Sequence, residues 1–337
     1  MLQALITGIS GEVGTGLIKK LHSQNYKVVA ADIKAPVKEV SKFIDKFYTC
    51  DISDKENVEK IFAEQKFDII FHLASILSTG GEKNPELAAK VNIEGTLNLL
   101  EAATNQSLKN KKAIKFIFPS SIAAYGMPSE EVKAKSEKVK EQDFLNPITI
   151  YGISKLACEN LGNYFSKNYK LLGEIDRNNL IDFRCVRFPG LLSPDTVPSG
   201  GTSDYGPEMV HAGAQGKDYE CFVRPDTTIP FMAMADAVEV LTQLAEAPKE
   251  NLKSFVYNVA GFSVSAEQIA DEVKKFFPKF NISYKVNSER QKIVDSWPTD
   301  VDDSKAQNDW GWKKKYDFEK TFSEYLIPKI KQRYQSK

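Results

Sequence analysis

The sequence predicts an α/β protein built on a doubly wound parallel sheet, and three observations carry that prediction. Short, solidly apolar runs alternate with stretches of helical periodicity through roughly the first 190 residues. A glycine-rich turn stands between the first apolar run and the first helical stretch. Beyond Arg187 the texture changes, and Pro189, Pro194, Pro198 and Pro207 crowd a segment with four glycines.

The candidate strands are 4–6, 28–31, 47–50, 69–71, 114–118 and 183–186. Their runs are apolar throughout rather than alternating, which is the pattern of strands covered on both faces. Between them, Val91, Leu97, Leu100 and Ala103 recur at helical spacing. In the second half, 231–244 reads as a helix and 255–259 as a strand. A helix at 266–277 and a short strand at 281–286 follow. Residues 189–207 read as a long loop. Residues 130–143 alternate Lys and Glu and read as a solvated surface insertion.

The turn is Gly8-Ile9-Ser10-Gly11-Glu12-Val13-Gly14, and Asp32 ends the second apolar run. Strand, glycine turn, helix, strand, acid is the wiring of a dinucleotide site. Gly8 permits the tight turn, Gly11 lets the backbone approach a pyrophosphate, and Gly14 lets the helix lie on the sheet. Asp32 would accept the adenosine ribose hydroxyls and repel a 2′-phosphate, which favours NAD over NADP. The expected architecture is a Rossmann-type doubly wound sheet formed by 1–188 with about 226–260. A smaller, discontinuous C-terminal substrate-binding cap would be formed by about 189–225 with 261–337.

Composition excludes several classes. Lys+Arg and Asp+Glu both number 45, so the net charge of zero calls for neither nucleic acid nor an anionic membrane. Cys50, Cys158, Cys185 and Cys221 form no CxxC pair and read as buried free thiols. His22, His72 and His211 have no ligand spacing, so no metal is expected. No apolar stretch reaches the length of a membrane span, and the first strand begins at Leu2. The expected compartment is the cytoplasm, and a processed organellar protein would read the same way.

The chemistry is carried by Tyr151-Gly152-Ile153-Ser154-Lys155, which puts a phenol and an ammonium on one helical face. A nearby cation favours phenolate, which can take a proton from an alcohol as hydride leaves its carbon. Tyr316/Lys320 and Tyr325/Lys329 share the spacing. Only Tyr151 follows the strand 114–118 and Ser120-Ser121, whereas the other two pairs read as surface features and Pro328 interrupts a helix joining the last. Ser121 is placed to hydrogen-bond the reacting oxygen.

These features together resemble the extended short-chain dehydrogenase/reductase superfamily: Gly8/Gly11/Gly14, His72-Leu73-Ala74 after a strand, Asn92 before Gly95-Thr96, Ser121, and Tyr151/Lys155. The second half resembles its L-threonine 3-dehydrogenase branch, through Gly200-Gly201-Thr202-Ser203-Asp204-Tyr205, Asp295-Ser296-Trp297-Pro298 and Asp309-Trp310-Gly311. Ile76-Leu77-Ser78 and Arg187-Phe188-Pro189-Gly190 add to it. The resemblance implies NAD-linked oxidation of the C3 hydroxyl of L-threonine by a homodimer paired through the Tyr151 and Asn92 helices. Tyr151 would be the base, Ser121 would position the hydroxyl, and Lys155 would hold the ribose and tune Tyr151. Glu12, Val13, Asp51, Ile52, Leu73, Ala74, Ser75 and Asn92 would join the glycines and Asp32 at the cofactor. Ser78, Gly190, Thr202 and Trp297 would line the substrate pocket with Ser121 and Tyr151. Three other readings share the first-half motifs: a nucleotide-sugar epimerase or dehydratase, a dehydrogenase of another small hydroxy acid, and a catalytically silent NAD-binding protein. The loop 189–207 has no Lys or Arg for a nucleotide diphosphate.

Overall fold

Seven strands form the central sheet of the computed structural model, which describes residues 1–198 and 200–335. In chain order the first six are β1 (Gln3–Thr7), β2 (Lys27–Asp32), β3 (Lys46–Thr49), β4 (Ile69–His72), β5 (Lys115–Ser121) and β6 (Asp182–Phe188). Next come β7 (Gly190–Leu192), β8 (Tyr219–Cys221), β9 (Thr228–Ala233), β10 (Val256–Asn258), β11 (Phe262–Ser265) and β12 (Ile282–Tyr284). The large sheet runs β10-β6-β5-β4-β1-β2-β3, and the pairs β2–β3, β1–β2, β1–β4 and β4–β5 are parallel. The order reverses at β1, so the crevice at its carboxyl end is the place where such sheets bind ligands. β4 is buried at all four positions and β6 at all seven, as a sheet covered on both faces requires.

The chain divides into two compact units. The first comprises Met1–Ser121, Ile150–Arg187 and Val238–Tyr257. Its core gathers Leu5, Val29, Ile70, Leu99, Phe116, Phe118 and Phe183. The helix Ile150–Lys167 lies close on β6 because Gly162 has no side chain; a Cβ there would stand 2.1 Å from the Phe183 ring. The run 85–110 is helical throughout, opened by the Asn84 side chain accepting from Leu87 N–H and by Pro85. It contains a π-helical turn at Lys90–Glu94, the kind of local widening often found at functional sites.

The second unit comprises Ile122–Thr149, Phe188–Ala237 and Asn258–Lys337. It holds a three-stranded sheet, β11-β9-β7, and the parallel pair β12–β8. Residues 122–149 belong here rather than with the first 121 residues, for reasons visible in their bonds. Met127 N–H donates to the Ser296 carbonyl at 2.8 Å, and Val139 bridges Val301. The segment 130–143 is solvated over most of its length, as expected, but it is anchored by three buried residues, Lys133, Val139 and Glu141. Lys133 is buried with its ammonium donating to the Val294 carbonyl at 3.0 Å. Glu141 is buried with an ion pair to Lys305 at 2.8 Å.

Three further expectations are corrected. The stretch 231–244 begins as a strand, β9, and turns helical only at Met234–Glu246. The loop 189–207 contains β7 and the first residues of the helix Tyr205–Ala214. Pro328 does not break its helix: a π-helical turn at Thr321–Leu326 leads into Ile327–Gln335, and Tyr325 is buried rather than superficial. The four cysteines are free and buried.

Candidate active site

Thr7, Asp32, His72 and Ser121 end four adjacent strands, β1, β2, β4 and β5. The alternation of strand and helix thus delivers the candidate residues to one edge of the first unit.

At β1 the chain turns through Gly8, whose φ of 72° lies in the left-handed region that glycine enters at no steric cost. A Cβ on Gly8 would lie 2.6 Å from Ala74 N, and one on Gly14 2.6 Å from the Ile9 carbonyl oxygen. Gly11 begins the helix Glu12–Ser23 with no side-chain cap, and a Cβ there would meet only the Gly8 oxygen at 3.3 Å. The helix N-terminus, with Glu12 and Val13 in its first turn, is therefore left without a side-chain cap. That is what a pyrophosphate requires. Asp32 accepts the N–H groups of Ser10 at 2.9 Å and Lys34 at 3.0 Å. The acid expected at a ribose thus also pins the glycine turn, with lone pairs left to accept hydroxyls. Asp51 accepts Ser53 N–H at 2.9 Å, and Ile52 is buried against Gly95.

Leu73, Ala74 and Ser75 continue from β4 toward Asn92, which is buried in the π-helical turn. Its amide oxygen accepts Ile76 N–H at 2.7 Å, and its amide nitrogen donates to the Ile76 carbonyl at 3.0 Å and the Ser154 hydroxyl at 3.1 Å. Ser154 donates to the Tyr151 carbonyl at 2.8 Å. Asn92 thereby ties the loop after β4 to the first turn of the Tyr151 helix.

That helix carries Tyr151 and Lys155. Ile150 N–H donates to the Glu82 carboxylate at 2.9 Å, an N-cap supplied from another helix. Burial pushes the Tyr151 phenol up to about 12, opposed by a hydrogen bond with Ser121. The Lys155 ammonium sits 5.6 Å from the Tyr151 ring centre and donates to the Pro119 carbonyl at 2.8 Å. Burial pushes Lys155 down to about 8, opposed by Cys158, Cys185 and Glu159. By sequence, Lys155 is expected to lower Tyr151; in this state burial dominates and Ser121, not Lys155, opposes it.

One turn on, Glu159 accepts both ends of the Arg187 guanidinium, at 2.8 and 2.6 Å, and Ser120 donates to the same carboxylate. Sequence reasoning missed this pair, which joins residues 28 apart. Ser78 opens the short helix Ser78–Lys83 and is buried.

The remaining candidates lie in the second unit. Gly190 begins β7, where a Cβ would stand 2.7 Å from the Phe231 ring. Thr202 is buried in the loop after Gly201, and Arg290 donates to the Gly200 and Gly201 carbonyls at 2.9 and 2.7 Å. Trp297 is buried just past the helix Ser288–Asp295, with its backbone N–H donating to the Val294 carbonyl at 3.1 Å. Thus the fold gathers the cofactor and catalytic candidates in one unit and places these three in the other.

The NAD dependent epimerase/dehydratase family matches residues 4–260. The chain belongs to that family. It is an NAD-dependent oxidoreductase. The cattle (Bos taurus) protein named mitochondrial L-threonine 3-dehydrogenase is 36% identical over 318 residues, 94% of this chain and 79% of that one. A structure titled as a monomeric L-threonine 3-dehydrogenase from a metagenome is 36% identical with a TM-score of 0.86, covering 98% of this chain and 99% of that one. An L-threonine dehydrogenase from Clostridium difficile gives 34% and 0.86, with 99% of each chain covered. Among the described residues, no helix is long and apolar enough to cross a membrane.

Proposed function

We propose that the protein oxidises the C3 hydroxyl of L-threonine with NAD to give 2-amino-3-ketobutyrate. The observation that carries this reading is the meeting of Ser121, Tyr151 and Lys155 in the unit that also holds the uncapped glycine turn and Asp32. The choice of L-threonine is supported by the names of relatives that are 36% identical to this chain.

Gly8, Gly11, Glu12, Val13 and Gly14 would hold the pyrophosphate and Asp32 the adenosine ribose. Asp51 and Ile52 would lie by the adenine, and Leu73, Ala74, Ser75, Asn92, Tyr151 and Lys155 would line the nicotinamide side. When bound, the oxidised nicotinamide supplies a hydride acceptor and a positive charge. Ser121 donates to or accepts from the substrate oxygen and fixes its direction. Tyr151 takes the hydroxyl proton, and its pKa falls from about 12 as positive charge gathers beside it. Lys155 is the protein's own share of that charge. Ser78, Gly190, Thr202 and Trp297 are the residues we assign to the amino acid.

The reading extends to compartment and assembly. Four unpaired thiols support a reducing space, in our view the cytoplasm. A homodimer through the helices Gly95–Asn110 and Ile150–Lys167 is supported by Ile153 and Tyr164, which are 45% and 40% exposed on the second helix. Phe165 faces the core and takes no part.

The test is NADH absorbance after mixing purified protein with NAD and L-threonine, with L-serine, 3-hydroxybutyrate and UDP-sugars alongside. NADH with L-threonine, lost in Tyr151→Phe, supports the proposal. Conversion of a UDP-sugar without net NADH overturns it.

A further inference from the structure

His72 takes part in none of the steps above, yet it is buried at the centre of the hydrogen bonding that frames the site. Its Nδ1 lies 2.7 Å from the Thr7 hydroxyl and its Nε2 2.8 Å from the Thr96 hydroxyl. The direction of each bond can be read from its neighbours. The Thr96 oxygen lies 2.5 Å from the Asn92 carbonyl, which only accepts, so the single Thr96 proton is spent there. Thr96 must then accept from His72, which places a proton on Nε2. A neutral imidazole with Nε2–H has a bare Nδ1, so Thr7 donates to it. The Thr7 oxygen in turn accepts Ala74 N–H at 3.3 Å.

We infer that His72 is a positioning residue for the Tyr151–Lys155 pair, acting as a neutral, one-way hydrogen-bond relay from the glycine turn to the π-helical turn. The relay runs Ala74 N–H to Thr7, Thr7 O–H to Nδ1, Nε2–H to Thr96 and Thr96 O–H to the Asn92 carbonyl. Each end grips a working part. Thr7 precedes Gly8, whose α-carbon packs against Ala74. Asn92 holds Ile76 and Ser154, and Ser154 holds the Tyr151 carbonyl. The surroundings favour the uncharged ring: Phe116 and Phe118 lie 5.9 and 5.8 Å away, and burial and Lys155 together push His72 down to about 3. Only a ring with one donor and one acceptor on opposite sides completes the chain. The inference rests on the reading of Tyr151 and Lys155 as the reacting pair.

Two measurements test it. Nitrogen NMR of the imidazoles in the full-length protein separates the two neutral tautomers and the cation. The chain has three histidines, and contacts to Phe116 and Phe118 assign His72 without a variant. The expected state is neutral with the proton on Nε2; a proton on Nδ1, or on both nitrogens at neutral pH, overturns the relay. The second measurement is kinetic. Thr96→Val removes the acceptor, and kcat for L-threonine should fall roughly 10- to 100-fold, the scale of a small misplacement of reacting groups. Thr96→Ser keeps the hydroxyl and should restore it. A folded Thr96→Val protein with the parent's kcat overturns the positioning role. If the parent leaves L-threonine untouched, the substrate proposal fails alone, because the tautomer is read without substrate or cofactor.

Discussion

Two buried charges one turn apart on the same helix are treated in opposite ways. Glu159 and Arg187, each 1% exposed, meet in a bidentate pair and are further joined by Ser120. Lys155, 5% exposed, is held by the Pro119 carbonyl and the faces of Phe118 and Tyr151, with Glu159 acting on it only through space. The first arrangement satisfies every charge and fixes how the helix sits on β5 and β6. The second leaves a cation short of compensation, so it titrates near the working pH range and can respond to charge arriving beside it. Rigidity and reactivity are separated by four residues.

The largest expected effect tests the reactive half. Tyr151→Phe removes the proposed proton acceptor and should lower kcat by roughly 10²–10⁴-fold, the usual worth of general base catalysis. Thermal unfolding should barely move, since the ring stays and only the bond with Ser121 goes. Equal activity in the variant would show that the two buried charges do not differ in role.

The rigid half is tested by stability, with opposite signs at the two positions. Glu159→Ala strands Arg187 in the core, and a broken buried pair costs about 3–5 kcal/mol in denaturant unfolding. Lys155→Met removes an under-compensated cation, so at neutral pH it should stabilise the fold by up to a few kcal/mol while abolishing turnover. If both variants lose stability equally, Lys155 is as well compensated as Glu159 and the comparison fails.

The pH dependence sharpens this. Lys155 is pushed down from 10.5 to about 8, so between those values the unfolded chain binds the extra proton and stability rises with pH. Burial raises Tyr151 from 10.0 to about 12, so above pH 10 the native state holds the extra proton and stability falls as pH rises. Parent minus Lys155→Met, followed by urea unfolding between about pH 8 and pH 10, should show the rise as a parent-only slope. A flat difference would remove the poised cation from the mechanism.

What could be read from the sequence follows from how local each feature is. Gly8, Gly11, Gly14 and Asp32 lie within one βαβ unit, and Tyr151 and Lys155 within one turn, so spacing alone carried their geometry. The bonds between Glu159 and Arg187 and along Thr7, His72 and Thr96 join different elements, and nothing in a linear pattern encodes them. The segment 130–143, mostly exposed as expected, hid its buried anchors for a related reason. Lys and Glu usually mark solvent, but Lys133 finds a helix-terminal carbonyl and Glu141 finds Asn258 N–H and Lys305. Pro328 misled because the bond it would break is already displaced by the preceding π-helical turn.

The smallest expected effect belongs to that same segment. Lys135 and Glu131 form an ion pair at 2.6 Å one helical turn apart, with side chains 74% and 76% exposed. The distance matches that of Glu159 and Arg187, so distance alone would rank the two pairs together. Physics separates them by solvent. At the surface, water screens the attraction and two long side chains give up freedom to hold one geometry, leaving about 0.3–0.5 kcal/mol for such a helical pair. In the core, breaking one partner leaves a charge that no water reaches. Glu131→Ala should therefore shift the urea midpoint by no more than its error, and high salt should erase what shift there is. A loss above about 1 kcal/mol would mean that this exposed pair holds the helix Glu130–Lys135. In the structure its anchors are instead Lys133, gripping the Val294 carbonyl, Glu130, paired with Arg224 at 3.0 Å, and the Ser129 hydroxyl, accepting Val132 N–H.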